Sequence, residues 1–150
     1  MRAPYQVLVF PYIKSKSGEI KYCIFKRSDL GAWQGIAGGG EEGETPMETA
    51  QRESFEEAGI PSGSKITRLS SISSISVEAI SGFIWGEDIL VIPEYSFGIK
   101  VESESIILNN EHPICEWLSF EDAQKKLQWD SNRTALWELN HRLIHNKFLI

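Results

Sequence analysis

The chain has 150 residues, of which 41% are hydrophobic and 24% charged, and carries a formal net charge of −6. That length is enough for one sizeable core, and that composition excludes a disordered or fibrous chain. The acidic balance argues against a nucleic-acid polymer as partner, because such proteins carry a basic face; a small phosphorylated ligand held through bound cations stays open.

No run of about 18 apolar residues occurs, so no membrane span is expected. Val7-Leu8-Val9-Phe10 is too short for a signal-peptide core and reads as a first strand. Val7 to Ile13 and Ile20 to Lys26 flank the turn Ser15-Lys16-Ser17-Gly18, which predicts a hairpin. Cys23 and Cys115 both fall in apolar, strand-like segments. Two buried free thiols suit a reducing compartment, so a cytoplasmic location is expected.

The next segment is the most informative. Gly38, Gly39, Gly40 and Gly43 predict a loop whose backbone takes conformations closed to other residues and approaches a ligand closely. A helix start follows, with Thr45 as N-cap, Pro46 at the first position and Glu48 where a capping box needs it. Gly59 is a natural stop. One helix over Pro46–Ala58 is therefore predicted. At roughly 100° per residue, Ala50, Glu53, Glu56 and Glu57 share a side, with Met47, Ser54 and Ala58 about a quarter-turn away. Carboxylates at i, i+3 and i+4 repel one another, a cost offset only if cations or basic side chains sit among them. An oxygen-only set at this density suits magnesium or manganese, and Arg52 at its edge is placed to orient one carboxylate.

Glu-rich helix faces are most often solvated surface; the ordered run of glycines, cap and carboxylates is what favours a site. Gly38-x-Gly40-x-x-Gly43 formally matches a dinucleotide fingerprint, but that motif needs the helix to begin within the glycines, and here it begins after Thr45. A calcium loop of alternating Asp and Asn ligands is absent.

Further along, the serine-rich stretch Leu69 to Val77 predicts a strand with a bulge. Phe83-Ile84-Trp85, Ile89 to Ile92, Tyr95 to Val101 and Cys115 to Leu118 read as strands. Phe120 to Leu127 and Arg133 to Ile144 read as helices, the second with an apolar stripe of Leu136, Leu139, Leu143 and Ile144. Trp129 and Trp137 are expected to pack that helix onto the rest. His141 and His145 stand at zinc-compatible spacing but lack a third ligand, so they read as surface histidines. Strands first, one helix among them and helices at the end predict an α+β sandwich with a mixed sheet between helices, in a single domain over 1–150.

The residues Gly38, Glu44, Arg52, Glu53, Glu56, Glu57, Gly59 and Ile60, in that register, resemble the Nudix box. The resemblance implies an α/β/α sandwich and a hydrolase that cuts a nucleoside diphosphate linked to another group. It implies that Glu53, Glu56 and Glu57 are the catalytic, metal-facing carboxylates, that the Gly38 carbonyl adds a ligand, and that Mg²⁺ or Mn²⁺ is the cofactor. Glu44, Arg52 and Gly59 would support the motif's geometry. Ser54 departs from the pattern, which usually has a bulky aliphatic there; weaker packing is expected, with metal binding spared. Trp33-Gln34, Glu111-His112 ahead of Trp117-Leu118, and Ser131-Asn132-Arg133 resemble the dihydroneopterin triphosphate and nucleoside triphosphate pyrophosphohydrolase branch. The implied reaction gives a monophosphate and pyrophosphate.

Glu111, between Asn109 and Pro113, resembles a position from which some Nudix enzymes supply a base or metal ligand, and Glu53 is the competing base. Arg27, Trp33 and Gln34 lie just ahead of the glycines and are candidates for the substrate cleft. Trp33 could stack on a base and Arg27 could hold phosphate, with core packing and strand-edge capping as the alternatives. A non-catalytic nucleotide sensor on the same fold is the second reading; such a module would be expected to have lost box carboxylates, and all are present here. Monomer and homodimer both stay open.

Overall fold

In the computed structural model, residues 1–109 and 114–148 are described. The first strand, β1 (Arg2–Lys14), organises the sheet. It pairs with β2 (Ile20–Lys26) only near the hairpin turn, from Tyr12↔Tyr22 to Lys14↔Ile20. Beyond that the two strands diverge. Residues 33–41 fill the fork: β3 (Trp33–Gln34) pairs with β2, and β4 (Ile36–Glu41) pairs with β1. On its other side β1 runs parallel to β6 (Val91–Lys100), which pairs antiparallel with β5 (Ile66–Ser76) at the edge. β7 (Ile114–Leu118) pairs with β2. The result is one seven-stranded mixed sheet.

Alternation along β1 gives the sheet its two cores. Val7 and Val9 pack with α1 (Pro46–Ala58), Cys23, Phe25 and Phe97 on one face. Leu8, Phe10 and Tyr12 pack on the other against α2 (Phe120–Lys126) and α3 (Asp130–His145). Helices on both faces of a mixed sheet are the predicted α+β sandwich.

Local signals held where they were strong. The α1 start has the full capping box, with the Thr45 hydroxyl accepting from the Glu48 amide and the Glu48 carboxylate accepting from the Thr45 amide. Gly59 ends the helix at φ 68°, the left-handed region open to glycine. The β5–β6 register shifts between Arg68 and Ile72, as the bulge reading expected.

Several expectations need correction. Phe83-Ile84-Trp85 and Ile89-Leu90 are not strands: after a short 3₁₀ turn (Val77–Ala79), Gly82 and Gly86 at positive φ turn the chain repeatedly. Gly38, Gly39 and Gly40 are strand residues of β4, and of the four glycines only Gly43 has positive φ. α3 begins at Asp130, three residues before the predicted start, because Asp130, Ser131 and Asn132 favour caps and turns yet form its first turn. Its apolar stripe ends at Leu143, and Ile144 faces solvent. Trp137 does not pack inward. It is 55% exposed and stacks on His141 with ring centroids 5.2 Å apart. His141 and His145 remain without a third ligand, since no group of three potential metal-binding side chains occurs among the described residues.

Cys23 is buried and Cys115 half-buried, both as free thiols. Cys115 shares a hydrogen bond with Cys23, which lowers its pKa to about 7; the same bond, together with burial, pushes Cys23 upward. Since the thiolate is the nucleophile, alkylation of the native protein at pH 8 should modify Cys115 well ahead of Cys23. Peptide mass spectrometry reads the order, and equal labelling would contradict it.

Candidate active site

The candidate site is a cleft of about 1060 Å³. β4 and α1 supply one wall through Gly38, Gly39, Glu53, Glu56 and Glu57. β1 and β6 contribute Arg2, Gln6 and Glu94, and the start of α3 contributes Asn132 with Trp129 just ahead of it.

The three glutamates are graded in exposure. Glu57 is 3% exposed, the Glu53 side chain 13% and that of Glu56 53%. The carboxylate face is thus the rim of the helix's buried side, which includes Ala50, Ser54 and Ala58. Ser54 is fully buried, and its hydroxyl donates to the Ala50 carbonyl at 2.7 Å, so the polar atom that replaces an aliphatic side chain is satisfied within its own helix.

Glycine is needed in β4 for close approach. A Cβ on Gly38 would fall 2.2 Å from the Glu53 carboxyl carbon, one on Gly39 2.2 Å from Arg2 Nε, and one on Gly40 2.1 Å from the Tyr5 ring. The bare strand lets Glu53 lie against the backbone beside Gly38.

Arg52 does more than orient one carboxylate. Its Nε donates to Glu44 at 2.7 Å, and Nη1 donates to Glu53 at 2.9 Å and Glu56 at 3.1 Å. Nη2 donates to Glu44 at 3.0 Å and to the Gly39 carbonyl at 2.9 Å. Glu44 also accepts from the Glu41 amide and the Thr49 hydroxyl, both at 2.9 Å. These contacts form a clamp that ties the β4–α1 turn to the carboxylate face.

A hard divalent cation fits the donor set: carboxylates of Glu53, Glu56 and Glu57 and the Gly38 backbone line one wall with oxygen donors alone. The space that a Gly38 Cβ would fill holds the Glu53 carboxylate against that backbone. The described side chains do not form a closed coordination set, and Arg52 shares Glu53 and Glu56. A cation here would share those two carboxylates with the guanidinium.

Gln34 lines the cleft, and its Oε1 accepts from the Trp129 indole at 3.2 Å. Trp33 does not line it: the ring packs on the α2–α3 core with the Lys126 ammonium 4.8 Å from its centroid. Trp129, expected to pack a helix, is instead the cleft's tryptophan. Arg27 reaches the cleft but is forked onto Asp29, with contacts of 2.9 and 2.5 Å. Glu111 lies outside the described residues. Sequence reasoning missed Arg2, Gln6 and Glu94: Gln6 meets Glu94 through the parallel β1–β6 register, and Arg2 reaches Gln6 from four residues earlier in β1. Gln6 Nε2 donates to Glu94 at 2.9 Å, and burial raises the Glu94 pKa.

A mixed sheet between helices, with a cleft that gathers three glutamates of one helix, matches a known class of hydrolases. Residues 6–137 match the NUDIX domain family. The chain belongs to the Nudix hydrolases, enzymes that act on pyrophosphate bonds in nucleoside diphosphate-linked substrates. A Listeria monocytogenes protein assigned to the NUDIX hydrolases is 41% identical, with 99% of each chain covered and a TM-score of 0.88. The fold is shared with the E. coli dihydroneopterin triphosphate pyrophosphohydrolase, at 23% identity over 93% of this chain and 97% of that one, TM-score 0.74. It is shared too with a C. elegans Ap4A hydrolase, at 19% identity over 95% and 99%, TM-score 0.73. Comparison with curated proteins gives no significant match.

The Arg52 hydrogen bonds hold Glu44 down from the ordinary 4.5 to about 2. A depressed folded-state value means that Glu44 contributes stability above pH 4.5 and that this is lost as pH falls through about 2. Glu44→Gln should destabilise the protein at pH 7 by about 1–3 kcal/mol. It should also flatten the decline in Tm between pH 5 and pH 2, as followed by thermal unfolding; an unchanged acid limb would contradict the clamp.

Proposed function

We propose that this chain hydrolyses a phosphoanhydride bond in a nucleoside triphosphate or a related pterin triphosphate, giving the monophosphate and pyrophosphate, with Mg²⁺ or Mn²⁺ as cofactor. The observation that carries the reading is the complete set of Glu53, Glu56 and Glu57 on one wall of a cleft large enough for a nucleotide. Glu53, Glu56, Glu57 and the Gly38 carbonyl would hold the divalent ion. When bound, that ion neutralises phosphate charge, lowers the pKa of water and stabilises the leaving oxygen.

The chain's own residues have separable tasks. Glu57, nearly buried, gives the set a fixed anchor, and Glu56 at the solvent edge leaves the wall open for ligand entry. Glu53, against the β4 backbone, or Glu111 accepts the proton of the attacking water. Gln34 and Trp129 line the cleft together and suit the substrate's ring system. Arg27, held on Asp29, sits at the rim. Residues 1–150 act as one domain, and the free thiols support a cytoplasmic setting.

A panel of nucleoside triphosphates, a pterin triphosphate, sugar nucleotides and dinucleotides, incubated with Mg²⁺, tests the reading through release of pyrophosphate or phosphate. Triphosphates should be cleaved to monophosphate and pyrophosphate. Glu57→Gln should lower kcat by about two orders of magnitude or more while far-UV circular dichroism stays unchanged. Full activity in that variant would defeat the assignment, and binding without turnover across the panel would instead identify a nucleotide sensor.

A further inference from the structure

A polyphosphate substrate brings several negative charges into a cleft whose walls carry Glu53, Glu56, Glu57, Glu94 and Asp29. Two arginines line the same cleft, Arg2 and Arg27, and they differ in state. The Arg27 guanidinium is already neutralised by the Asp29 carboxylate through two hydrogen bonds. Arg2 forms no ion pair among the described residues. Its Nη1 donates to the Ser81 hydroxyl at 3.4 Å and its Nη2 to the Gln6 carbonyl oxygen at 3.2 Å, both neutral acceptors at long range. Its Nε is buried and meets no acceptor.

Burial lowers the Arg2 pKa, with the nearby charges of Glu53 and Glu41 acting in the opposite direction. An arginine stays protonated regardless. A partly buried guanidinium that makes only long hydrogen bonds to neutral acceptors, with the Glu53 and Glu41 charges near but in no ion pair with it, keeps donor capacity for an anion.

The surroundings hold the guanidinium in one place. On one side, the missing Gly39 side chain lets Arg2 Nε lie against β4. On another, Arg2 Cζ stands 5.6 Å from the centroid of the Trp85 ring, and the Trp85 indole donates to the Arg2 carbonyl at 2.9 Å. Gln6 is oriented by Glu94, which accepts from its Nε2, so its oxygen turns toward Arg2. A planar fork fixed by packing on a ring and a bare strand suits bidentate recognition of phosphate oxygens.

We propose that Arg2 is a phosphate-binding residue of this cleft, the cation that takes the substrate's polyphosphate chain beside the carboxylate wall. The inference rests on the pyrophosphohydrolase reading for its ligand, and on Arg2's own surroundings for its position. Arg27 has a minor part in phosphate binding because Asp29 already satisfies it.

Calorimetric titration with inorganic tripolyphosphate in the presence of Mg²⁺ tests this on the wild type, Arg2→Ala, Arg2→Lys and Arg27→Ala. Arg2→Ala should weaken binding about tenfold or more, as expected for a lost charge-assisted contact. Arg2→Lys should fall between, since it keeps the charge and loses the fork; it also serves if Arg2→Ala unfolds. Arg27→Ala should stay within about threefold of wild type. In turnover of a nucleoside triphosphate, Arg2→Ala should raise KM by more than it lowers kcat. Wild-type affinity in both Arg2 variants, a larger loss in Arg27→Ala, or no tripolyphosphate binding by the wild type would overturn the inference. Turnover indifferent to Arg2 sinks this inference and leaves the hydrolase reading standing; Arg2-dependent binding without turnover does the reverse.

Discussion

Arg52 carries one positive charge and touches three carboxylates and a backbone carbonyl. Like charges at helical i, i+4 spacing cost about 0.2–0.5 kcal/mol per pair, whereas a hydrogen bond to a charged group contributes about 1.5–3 kcal/mol. The guanidinium therefore outweighs the repulsion that the motif builds in. The partly buried contact with Glu44 matters most; the Glu56 contact, half in water, adds little. Through Glu44 and Gly39 the same side chain ties the turn between β4 and α1 to the carboxylate wall.

That wall depends in turn on the fork in the sheet. β1 and β2 part after three paired positions, and residues 33–41 enter between them. Gly35 lies in the fork, with its amide donating to Asn132 of α3 at 2.9 Å and no room for a Cβ beside Leu8 and Val9. The bond joins the start of α3 to the base of the glycine strand, so Trp129 and Asn132 line the same cleft as Glu53. Cleft-lining groups thus come from both sides of the chain's middle, while the three glutamates come from a single helix.

How much of this was legible follows from how local each signal is. α1, its caps and its carboxylates were readable because cap, periodicity and stop all lie within the segment Thr45 to Gly59. The hairpin and the bulged β5 were readable for the same reason. The glycines were found, but their purpose was not: conformational freedom was expected, whereas Gly38, Gly39 and Gly40 make room for side chains of Glu53, Arg2 and Tyr5, which no local pattern reports. Trp33 and Trp129 exchanged expected places because a strand of two residues offers no alternation to say which neighbour faces the cleft. Gln6 and Glu94 meet through a parallel pairing of distant segments, with Arg2 beside Gln6 on the same strand, and Phe83 to Trp85 looked extended until the glycines on either side turned the chain.

We propose that Glu53, Glu56 and Glu57 form a cation-binding wall held in place by Arg52. Titration of the protein with Mn²⁺, following the electron paramagnetic resonance signal of the free ion, tests it without requiring a substrate. Binding to the wild type should be saturable and at least about tenfold weaker in Glu53→Gln, with Tm rising as the wild-type site fills. Equal affinity in the two proteins, or no binding by the wild type, would contradict it.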